Sequence, residues 1–355
     1  MTRTLPGLIA LVMLTVACSL GRCAVAVVGR ITVDAGEHAR VDTPMRVEVS
    51  RGVLKVKAGA AFDLVETVDG TRVVSPVEVE TWSDGRHVIY FVLSGKTPAG
   101  ATRVFELVAR DDVRKKSPGI ESKATDKVTQ FTFRGQDVLR YNKAPTPLPA
   151  GVDDVFLRGA TIHPIHTPSG KLMTEDFPGD HYHHKGLWQA WVNTEFEGRK
   201  IDFWNLKGQT GTVRYVSGGE PIGGDVCARL TARHEHLDVT QSPPKRVLDE
   251  TWDVRVWAVG AGDSGGDGAG KGYHLFDLIS TQRCASDSPL LLKKYRYGGV
   301  GYRGPKDWSK KDYSILTSEG NTYENAHATA ARWNIHSGKV AGEPTSVVFM
   351  SHPDN

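Results

Sequence analysis

Cysteine is scarce in this sequence, with four residues in 355, and two of the four lie within the first 26 positions. The rest of the chain therefore holds only Cys227 and Cys284. The lack of any Cys-x-x-Cys pair excludes the usual cysteine-based zinc patterns. In an oxidising compartment Cys227 and Cys284 could form a disulfide, and two buried free thiols fit the sequence equally well.

An excess of charge is also missing. The 44 Lys and Arg residues against 41 Asp and Glu residues give a formal net charge of +3. So small an excess predicts no electrostatic attraction to nucleic acid or to an anionic membrane surface. We therefore expect no nucleic-acid partner.

Long apolar runs are absent, apart from one near the N-terminus. Residues 8–17 are apolar, Arg3 precedes them, and small residues follow at 24–26. The run is too short to span a bilayer comfortably. A positive end, a short apolar run and small residues in this order predict a secretory signal peptide over residues 1–26.

Removal of this signal would lower the net charge to +1, because Arg3 and Arg22 leave with it. We expect a periplasmic or secreted protein with no transmembrane segment after signal removal. Anchoring as a lipoprotein through Cys18 is the alternative. Thr15 argues against it, because an aliphatic residue is usual at that position.

Helical periodicity is the last absence, since no long stretch after the N-terminus repeats its apolar residues every 3.6 positions. The 38 Gly and 18 Pro residues instead punctuate short β-rich runs such as TRVFELVAR, VTQFTFR and LLLKKYRYGG. Such runs without intervening helices favour antiparallel sheets. The predicted fold is all-β, a large antiparallel β-sandwich of the supersandwich kind preceded by a small β-sandwich module.

The charged segment DDVRKKSPGIESKATDK, short of large apolar residues, is the best boundary candidate. We predict a small N-terminal β module over residues 27–112 and a linker or exposed loop over 113–127. The main β-sandwich domain then covers residues 128–355.

The strand LDETWDVRVWA carries an unusual carboxylate. Side-chain alternation places Glu250 on the same face as Leu248, Trp252, Val254 and Val256, which are all apolar. A carboxylate buried without a partner is costly, so Glu250 should meet a cation, a metal or a ligand in a pocket. A structural ion pair with an arginine, or an edge position, is the alternative.

The stretch DHYHHKGLWQAW holds three histidines in four positions. If it is extended, His181 and His183 share a face, and two histidines so spaced can chelate one metal. His163 or His352 would supply a third ligand. Histidine is also the natural acid–base group near neutral pH, with His183 or His184 in that role. The alternative is that these rings cap turns or bond to core carbonyls.

Tryptophans near this cluster point to a sugar ligand. The faces of Trp188, Trp191 and Trp204 could stack on sugar rings, or the rings could simply fill the core of the sandwich. Arg303 and Arg332 could clamp a carboxylate or a sugar oxygen, although isolated arginines are more often surface residues.

The motifs resemble a bacterial exported family catalogued as "methane oxygenase PmoA", a domain of unknown function. The resemblance runs from about residue 47 to 355. Its motif positions fall here on His163, Pro164, Thr167, Pro168, Ser169, Gly170, Asp180, His181, His183, His184, Gly186, Asp202, Phe203, Trp204, Gly298, Gly299, Arg303, His352, Pro353 and Asn355.

A looser similarity is to galactose-mutarotase-like supersandwich proteins. This similarity implies a concave sheet in which histidines and a carboxylate face a bound sugar. Family members continue for several strands past HPxN, whereas this sequence stops there, so we expect a C-terminally truncated main domain. Because the chain lacks a membrane span beyond its signal, we do not expect methane oxidation from it.

Three hypotheses follow, and whether the protein is an enzyme stays open. The first is binding or processing of a small-molecule or oligosaccharide ligand in a His/Trp-lined pocket, by isomerase, lyase or hydrolase chemistry. Its candidate catalytic residues are His183, His184, Glu250 and Asp202. Its candidate substrate-binding residues are His163, Trp188, Trp204, Arg303, Arg332 and His352.

The second hypothesis is a metal-dependent enzyme such as an oxygenase, with a divalent metal on His181 and His183. The third is a non-catalytic glycan-binding or envelope scaffold protein, in which the histidines are structural.

Overall fold

The structure is a computed structural model. It describes residues 10–11, 26–54, 60–110, 119–260, 272–308 and 312–352. The predicted signal peptide lies outside the described residues, except for positions 10, 11 and 26.

The described chain is all-β, which confirms the predicted fold class. Its regular structure consists of β-strands and two single-turn 3₁₀ helices, with no α-helix in the described part of the chain. The chain divides into two compact units. The first unit comprises residues 1–121, 223–228 and 256–275, and the second comprises 122–222, 229–255 and 276–355.

The first unit contains a seven-stranded antiparallel sheet with the strand order β1-β2-β7-β4-β5-β6-β3. Its strands are β1 (Ala10–Leu11), β2 (Val27–Asp34), β3 (Arg40–Val49), β4 (Ala61–Val68), β5 (Thr71–Thr81), β6 (His87–Thr97) and β7 (Thr102–Arg110). Alternate residues of these strands point inward and form an apolar core that includes Ile31, Met45, Leu64, Phe91 and Phe105.

The remaining strands form four further sheets, with orders β20-β12-β11-β10-β9-β8, β15-β16-β17-β18, β14-β13-β19 and β21-β22-β23. Their bounds are β8 (Ile120–Ala124), β9 (Val128–Phe133), β10 (Gln136–Asn142), β11 (Thr161–Ile165), β12 (Leu187–Ala190), β13 (Thr194–Phe196), β14 (Arg199–Ile201), β15 (Gly211–Gly218), β16 (Cys227–Asp238), β17 (Lys245–Trp257), β18 (Leu275–Cys284), β19 (Leu290–Leu292), β20 (Gly299–Tyr302), β21 (Tyr313–Thr317), β22 (Trp333–Val340) and β23 (Glu343–Met350). The two 3₁₀ helices are Asp154–Phe156 and Leu206–Gly208.

The alternation predicted for β17 is confirmed over most of the strand. Leu248, Glu250, Trp252 and Val254 are buried, while the residues between them are only partly buried. At the end of the strand Arg255 is buried as well.

The composition of LLLKKYRYGG predicts a single strand, but the structure does not have one there. Strand β19 ends at Leu292, and β20 begins only at Gly299. The backbone at Gly299 has φ 83°, a left-handed conformation that interrupts an extended run. Part of the predicted linker over 113–127 is also regular structure, because Ile120–Ala124 form β8.

Both remaining cysteines are free thiols, Cys227 buried and Cys284 exposed. Of the two arrangements that the sequence allows, the structure therefore has unpaired thiols, of which only one is buried. Among the described residues, no helix has the length and apolarity needed to cross a membrane.

Gly301 on β20 lies in a place that admits no side chain. A Cβ atom there would lie 2.5 Å from Cε2 of Trp188 and 2.6 Å from Cη2 of Trp204. Both indoles are buried in the apolar core of the second unit, so neither can move aside freely.

Gly301→Ala should therefore lower the free energy of unfolding by about 1–3 kcal/mol, the usual cost of overpacking. Urea denaturation measures this. Gly219→Ala is the matched control, because a Cβ at Gly219 meets nothing within 4 Å. Equal stability of the two variants would contradict the packing of β20 against the two indoles.

Candidate functional site

The segment 178–184 forms two successive turns and is not extended. The amide of His181 donates to the carbonyl of Pro178 at 2.9 Å, and the amide of His184 donates to the carbonyl of His181 at 2.9 Å. The condition for His181 and His183 to share a strand face is therefore not met. The turn instead stacks the rings of His181 and His184, with centroids 4.8 Å apart and planes 6° apart.

The third ring completes a compact histidine cluster of residues 181, 183 and 184. The ring of His183 meets that of His184 edge-on, with centroids 4.7 Å apart. His181 is about half exposed, with 49% of its side chain accessible, whereas His183 and His184 are partly buried. The cluster thus runs from solvent into the protein.

Burial keeps the two inner rings neutral. It lowers the pKa of His183 to about 4, assisted by the neighbouring His181. Burial likewise lowers the pKa of His184 to about 3, with further lowering by His183, His181 and Arg303. At neutral pH each inner ring therefore has one N–H donor and one nitrogen lone pair, the form that can accept a proton.

An arginine–carboxylate pair borders the cluster on its solvent side. Arg303 donates to both carboxylate oxygens of Asp180, at 2.9 and 3.3 Å, and to Glu175 at 3.2 Å. Nδ1 of His181 lies 3.0 Å from Asp180. Burial by itself would raise the pKa of Asp180, but the bonds from His181 and Arg303 outweigh it, so the pKa lies below the ordinary value.

Main-chain bonds fix the cluster to the neighbouring strands. The amide of Gly186 donates to the main-chain carbonyl of Glu175 at 2.9 Å, and the amide of Arg303 donates to the main-chain carbonyl of Gly186 at 2.7 Å. The side chain of Lys185 is fully buried, with its amine 3.6 Å from Asp176. Burial lowers the pKa of Lys185 to about 8.

A row of aromatic rings leads from the histidine cluster to an open cleft. The ring of His184 stacks on Trp188 at 5.1 Å, and Trp188 meets Trp204 at 4.7 Å. Trp204 in turn contacts Tyr297 at 5.3 Å, and Tyr297 contacts Tyr295 at 5.0 Å.

The two tyrosines line a cleft of about 220 Å³. Tyr295 is 47% exposed and Tyr297 is 38% exposed, so both rings offer surface to a ligand. The complete lining is Trp191, Val192, Asn193, Thr194, Leu292, Lys293, Tyr295, Tyr297 and Gly298. This mixture of aromatic faces and a few polar groups is typical of small-molecule sites.

A second polar centre surrounds Glu250, which is 1% exposed. Five donors among the described residues reach its two oxygens. On Oε2 these are His234 Nδ1 at 3.2 Å and His236 Nε2 at 3.0 Å. On Oε1 they are Trp252 Nε1 at 2.9 Å, Ser280 Oγ at 2.6 Å and Gln282 Nε2 at 2.9 Å.

These donors keep Glu250 ionised. Burial alone would raise its pKa, but the hydrogen bonds from His234 and His236 lower it more, so the pKa lies well below the ordinary value. Burial lowers the pKa of His234, which is therefore neutral. Burial raises the pKa of Tyr141, whose hydroxyl lies 2.7 Å from His234 Nε2. We therefore assign the hydrogen bonds in the direction Tyr141 to His234 to Glu250.

One further bond connects Glu250 to the cleft. Gln282 donates its amide to Glu250 and accepts from Nε1 of Trp191 at 2.7 Å. Trp191 lines the cleft. The buried carboxylate thus sets the orientation of one cleft wall through two hydrogen bonds.

Residues 128–355, more than half of the chain, match a family of unknown function, DUF6807. The chain belongs to this family. The histidine cluster, the cleft and the Glu250 centre all lie within the DUF6807 region. No protein with a curated function matches the chain.

Within the DUF6807 region, Glu250 pairs with histidines other than those of the cluster. Its partners are His234 and His236, both on β16. Arg158, which is 2% exposed, connects the two groups electrostatically. Burial lowers the pKa of Arg158 and the charge of Glu250 acts to raise it, while the charge of Arg158 contributes to lowering the pKa of His183.

Asp202 has a structural task in the DUF6807 region. It accepts bonds from the amides of Trp204 and Asn205, both at 2.9 Å, and so closes a turn. Its charge also favours protonation of His183. Nδ1 of His163 bonds to Thr174 at 2.9 Å.

The other two predicted binding residues are solvent-exposed. Arg332 has 81% of its side chain accessible and lies 3.7 Å from Glu319. His352 is exposed as well. Within the described part of the chain, no group of three or more His, Cys, Asp or Glu side chains is arranged to hold a metal ion. The metal site on His181 and His183 stays a prediction.

His234 and His236 are not among the predicted site residues, although the sequence contains a signal for them. In β16 residues 228, 230, 232, 234, 236 and 238 are buried, and the charged residues Arg233 and Glu235 lie between them. Two histidines on the apolar face of one strand pair naturally with a carboxylate on the apolar face of the next. Arg158 has no comparable signal, because it lies outside any strand.

Glu250→Gln should lower the free energy of unfolding by about 2–6 kcal/mol, because the amide nitrogen replaces one carboxylate oxygen and leaves at least two buried donors without an acceptor, at about 1–3 kcal/mol each. The change removes the charge that five donors and Arg158 face. Glu235→Gln on the neighbouring strand is the control, with an expected loss below about 1 kcal/mol because its arginine partners are largely exposed. Urea denaturation of both variants checks this, and a small loss in Glu250→Gln would refute it.

Lowering the pH should destabilise the protein through His183 and His184. Between the unfolded pKa near 6.5 and the folded values of about 4 and 3, the unfolded chain binds more protons than the folded one. Stability from these rings is therefore present above pH 6.5 and lost as the pH falls through this window.

Thermal unfolding across pH 3 to 8 measures this, in the original chain and in His183→Gln/His184→Gln. The double variant should show a weaker dependence on pH between about 3 and 6.5. Identical slopes in the two proteins would mean that the rings are not held neutral.

Proposed function

We propose that this protein binds a carbohydrate or a sugar derivative in the cleft beside Tyr297 and acts on it with the histidine cluster. The observation that carries the proposal is the position of Tyr297. It lines the cleft and also contacts Trp204, whose ring meets that of His184. A ligand stacked on Tyr297 would therefore lie beside the row of rings that leads to the cluster.

The lining of the cleft supports a sugar as the ligand. Tyr295 and Tyr297 offer flat apolar surfaces that suit the C–H face of a sugar ring, while Asn193 and Lys293 offer polar groups for hydroxyls. The looser similarity to galactose-mutarotase-like proteins supports the same ligand class. The signal-like segment 1–26 and the likeness to the exported PmoA-catalogued family fit a ligand met in the periplasm or outside the cell.

The histidine cluster supports acid–base chemistry on that ligand. In this proposal the neutral ring of His183 accepts a proton from a ligand hydroxyl or from a carbon next to a carbonyl. The low pKa of His183 means that the ring releases the proton again readily. His181, bonded to Asp180 and exposed, is placed to exchange protons with solvent. Epimerisation needs the proton removed from one face of a carbon and another returned to the opposite face. β-Elimination needs, besides removal of the proton, departure of the β-oxygen group, which takes up a proton as its C–O bond breaks.

The test of ligand binding is isothermal titration with a panel of neutral monosaccharides, their uronic acids and short oligosaccharides. Tyr297→Ala should weaken binding at least tenfold, because it removes the stacking surface. Tyr323→Ala is the matched control, since Tyr323 is also 38% exposed but does not line the cleft. The proposal fails if no sugar binds, or if both variants bind as the original chain does.

Catalysis is tested separately on the sugars that bind. His183→Asn should abolish isomerisation or elimination products, seen by NMR, while the affinity changes less than about threefold. Products formed at the original rate by His183→Asn would remove His183 from the acid–base role.

A further inference from the structure

Three buried ring nitrogens in the row of rings that leads to the cleft have no hydrogen-bond partner among the described residues. They are Nε1 of Trp188, Nε1 of Trp204 and Nδ1 of His184. Trp188 is 1% exposed and Trp204 is 7% exposed, so water outside the protein barely reaches them. Buried polar atoms are nearly always bonded, and an orphaned group indicates that a partner is missing.

The chemistry of these atoms identifies the kind of partner. An indole N–H can only donate, so the two tryptophans each need an acceptor. The neutral ring of His184 can offer a third donor at Nδ1, in the tautomer with its proton there. The three rings are in mutual contact, with centroid distances between 4.7 and 6.3 Å. Within this group of adjoining rings, each indole N–H still needs an acceptor.

The local charges favour an acceptor that is negative. Arg303 lowers the pKa of His184 by more than Asp180 raises it. Arg158 is also buried in this unit, and its Nε has no partner among the described residues. Hydrogen bonds to a charged acceptor are stronger than those to a neutral one, most of all where water is excluded.

We propose that the unpartnered N–H groups of Trp188, Trp204 and His184 bind the carboxylate of a sugar acid, so that the ligand class is uronic acids and their glycosides. This inference rests on the proposed function, because it names the ligand of the same cleft. Trp204 makes the connection, since its ring touches Tyr297 in the cleft lining on one side and His184 on the other.

The test compares methyl galacturonoside and methyl glucuronoside with the matching neutral methyl galactoside and methyl glucoside by isothermal titration. The acids should bind at least tenfold more tightly than their neutral partners. Trp204→Phe keeps an aromatic ring and deletes the N–H, so it should reduce the affinity for the acids about tenfold and that for the neutral glycosides less than twofold.

Trp333→Phe is the control, because Trp333 is 37% exposed on β22 and does not line the cleft. It should leave all four affinities unchanged. If circular dichroism finds Trp204→Phe unfolded, Trp188→Phe makes the same deletion at the second donor and is held to the same expectation.

The outcomes separate this inference from the proposed function. Equal binding of acids and neutral glycosides, with no effect of Trp204→Phe, would overturn the carboxylate site and leave a sugar-binding cleft. Failure of all four ligands and of the wider sugar panel would overturn both. Tight binding of the acids that Trp204→Phe does not reduce would overturn the assignment of these donors.

Discussion

The buried charge of Glu250 is the constraint on which the rest of this architecture depends. A carboxylate that is 1% exposed is tolerable only when its oxygens are saturated by donors. Three antiparallel strands meet that demand. Strand β16 supplies His234 and His236, β17 supplies Trp252, and β18 supplies Ser280 and Gln282. The register of these strands is therefore tied to one ion, because a slip by one residue would turn its partners away.

That constraint reaches the cleft as well. Gln282 cannot turn without breaking a bond to Glu250, and Trp191 donates to the same Gln282. The wall formed by Trp191 is thus held by the ionised centre, whereas Tyr295 and Tyr297 in the same cleft are exposed. The cleft thus combines one wall held in a fixed orientation with two accessible aromatic faces.

Sequence pattern alone was sufficient for the fold class and for the buried carboxylate. TRVFELVAR matches β7 residue for residue, and alternation along β17 places Glu250 inward. The partners His234 and His236 were missed although they are local, since β16 directly precedes β17 in the chain and both histidines lie on its buried face. Only Ser280 and Gln282, on β18, lie farther along the chain. For the segment DHYHHKG, the extended conformation considered from the sequence is not the one observed, and the reason is local. Nothing in its composition distinguishes an extended run from two turns, and only the bonds of His181 and His184 decide it.

The two histidine groups differ in how their inner rings are bonded. His234 donates a hydrogen bond from Nδ1 to Glu250, and its Nε2 accepts one from the hydroxyl of Tyr141. Neither nitrogen is therefore available to a ligand. The ring of His183 is kept neutral by burial and by the neighbouring imidazole, and no carboxylate among the described residues is bonded to it. A ring in that state retains a basic nitrogen close to solvent-exposed His181. The fold thus uses one pair of imidazoles to hydrogen-bond its buried carboxylate, while the rings of the histidine cluster extend towards solvent at His181.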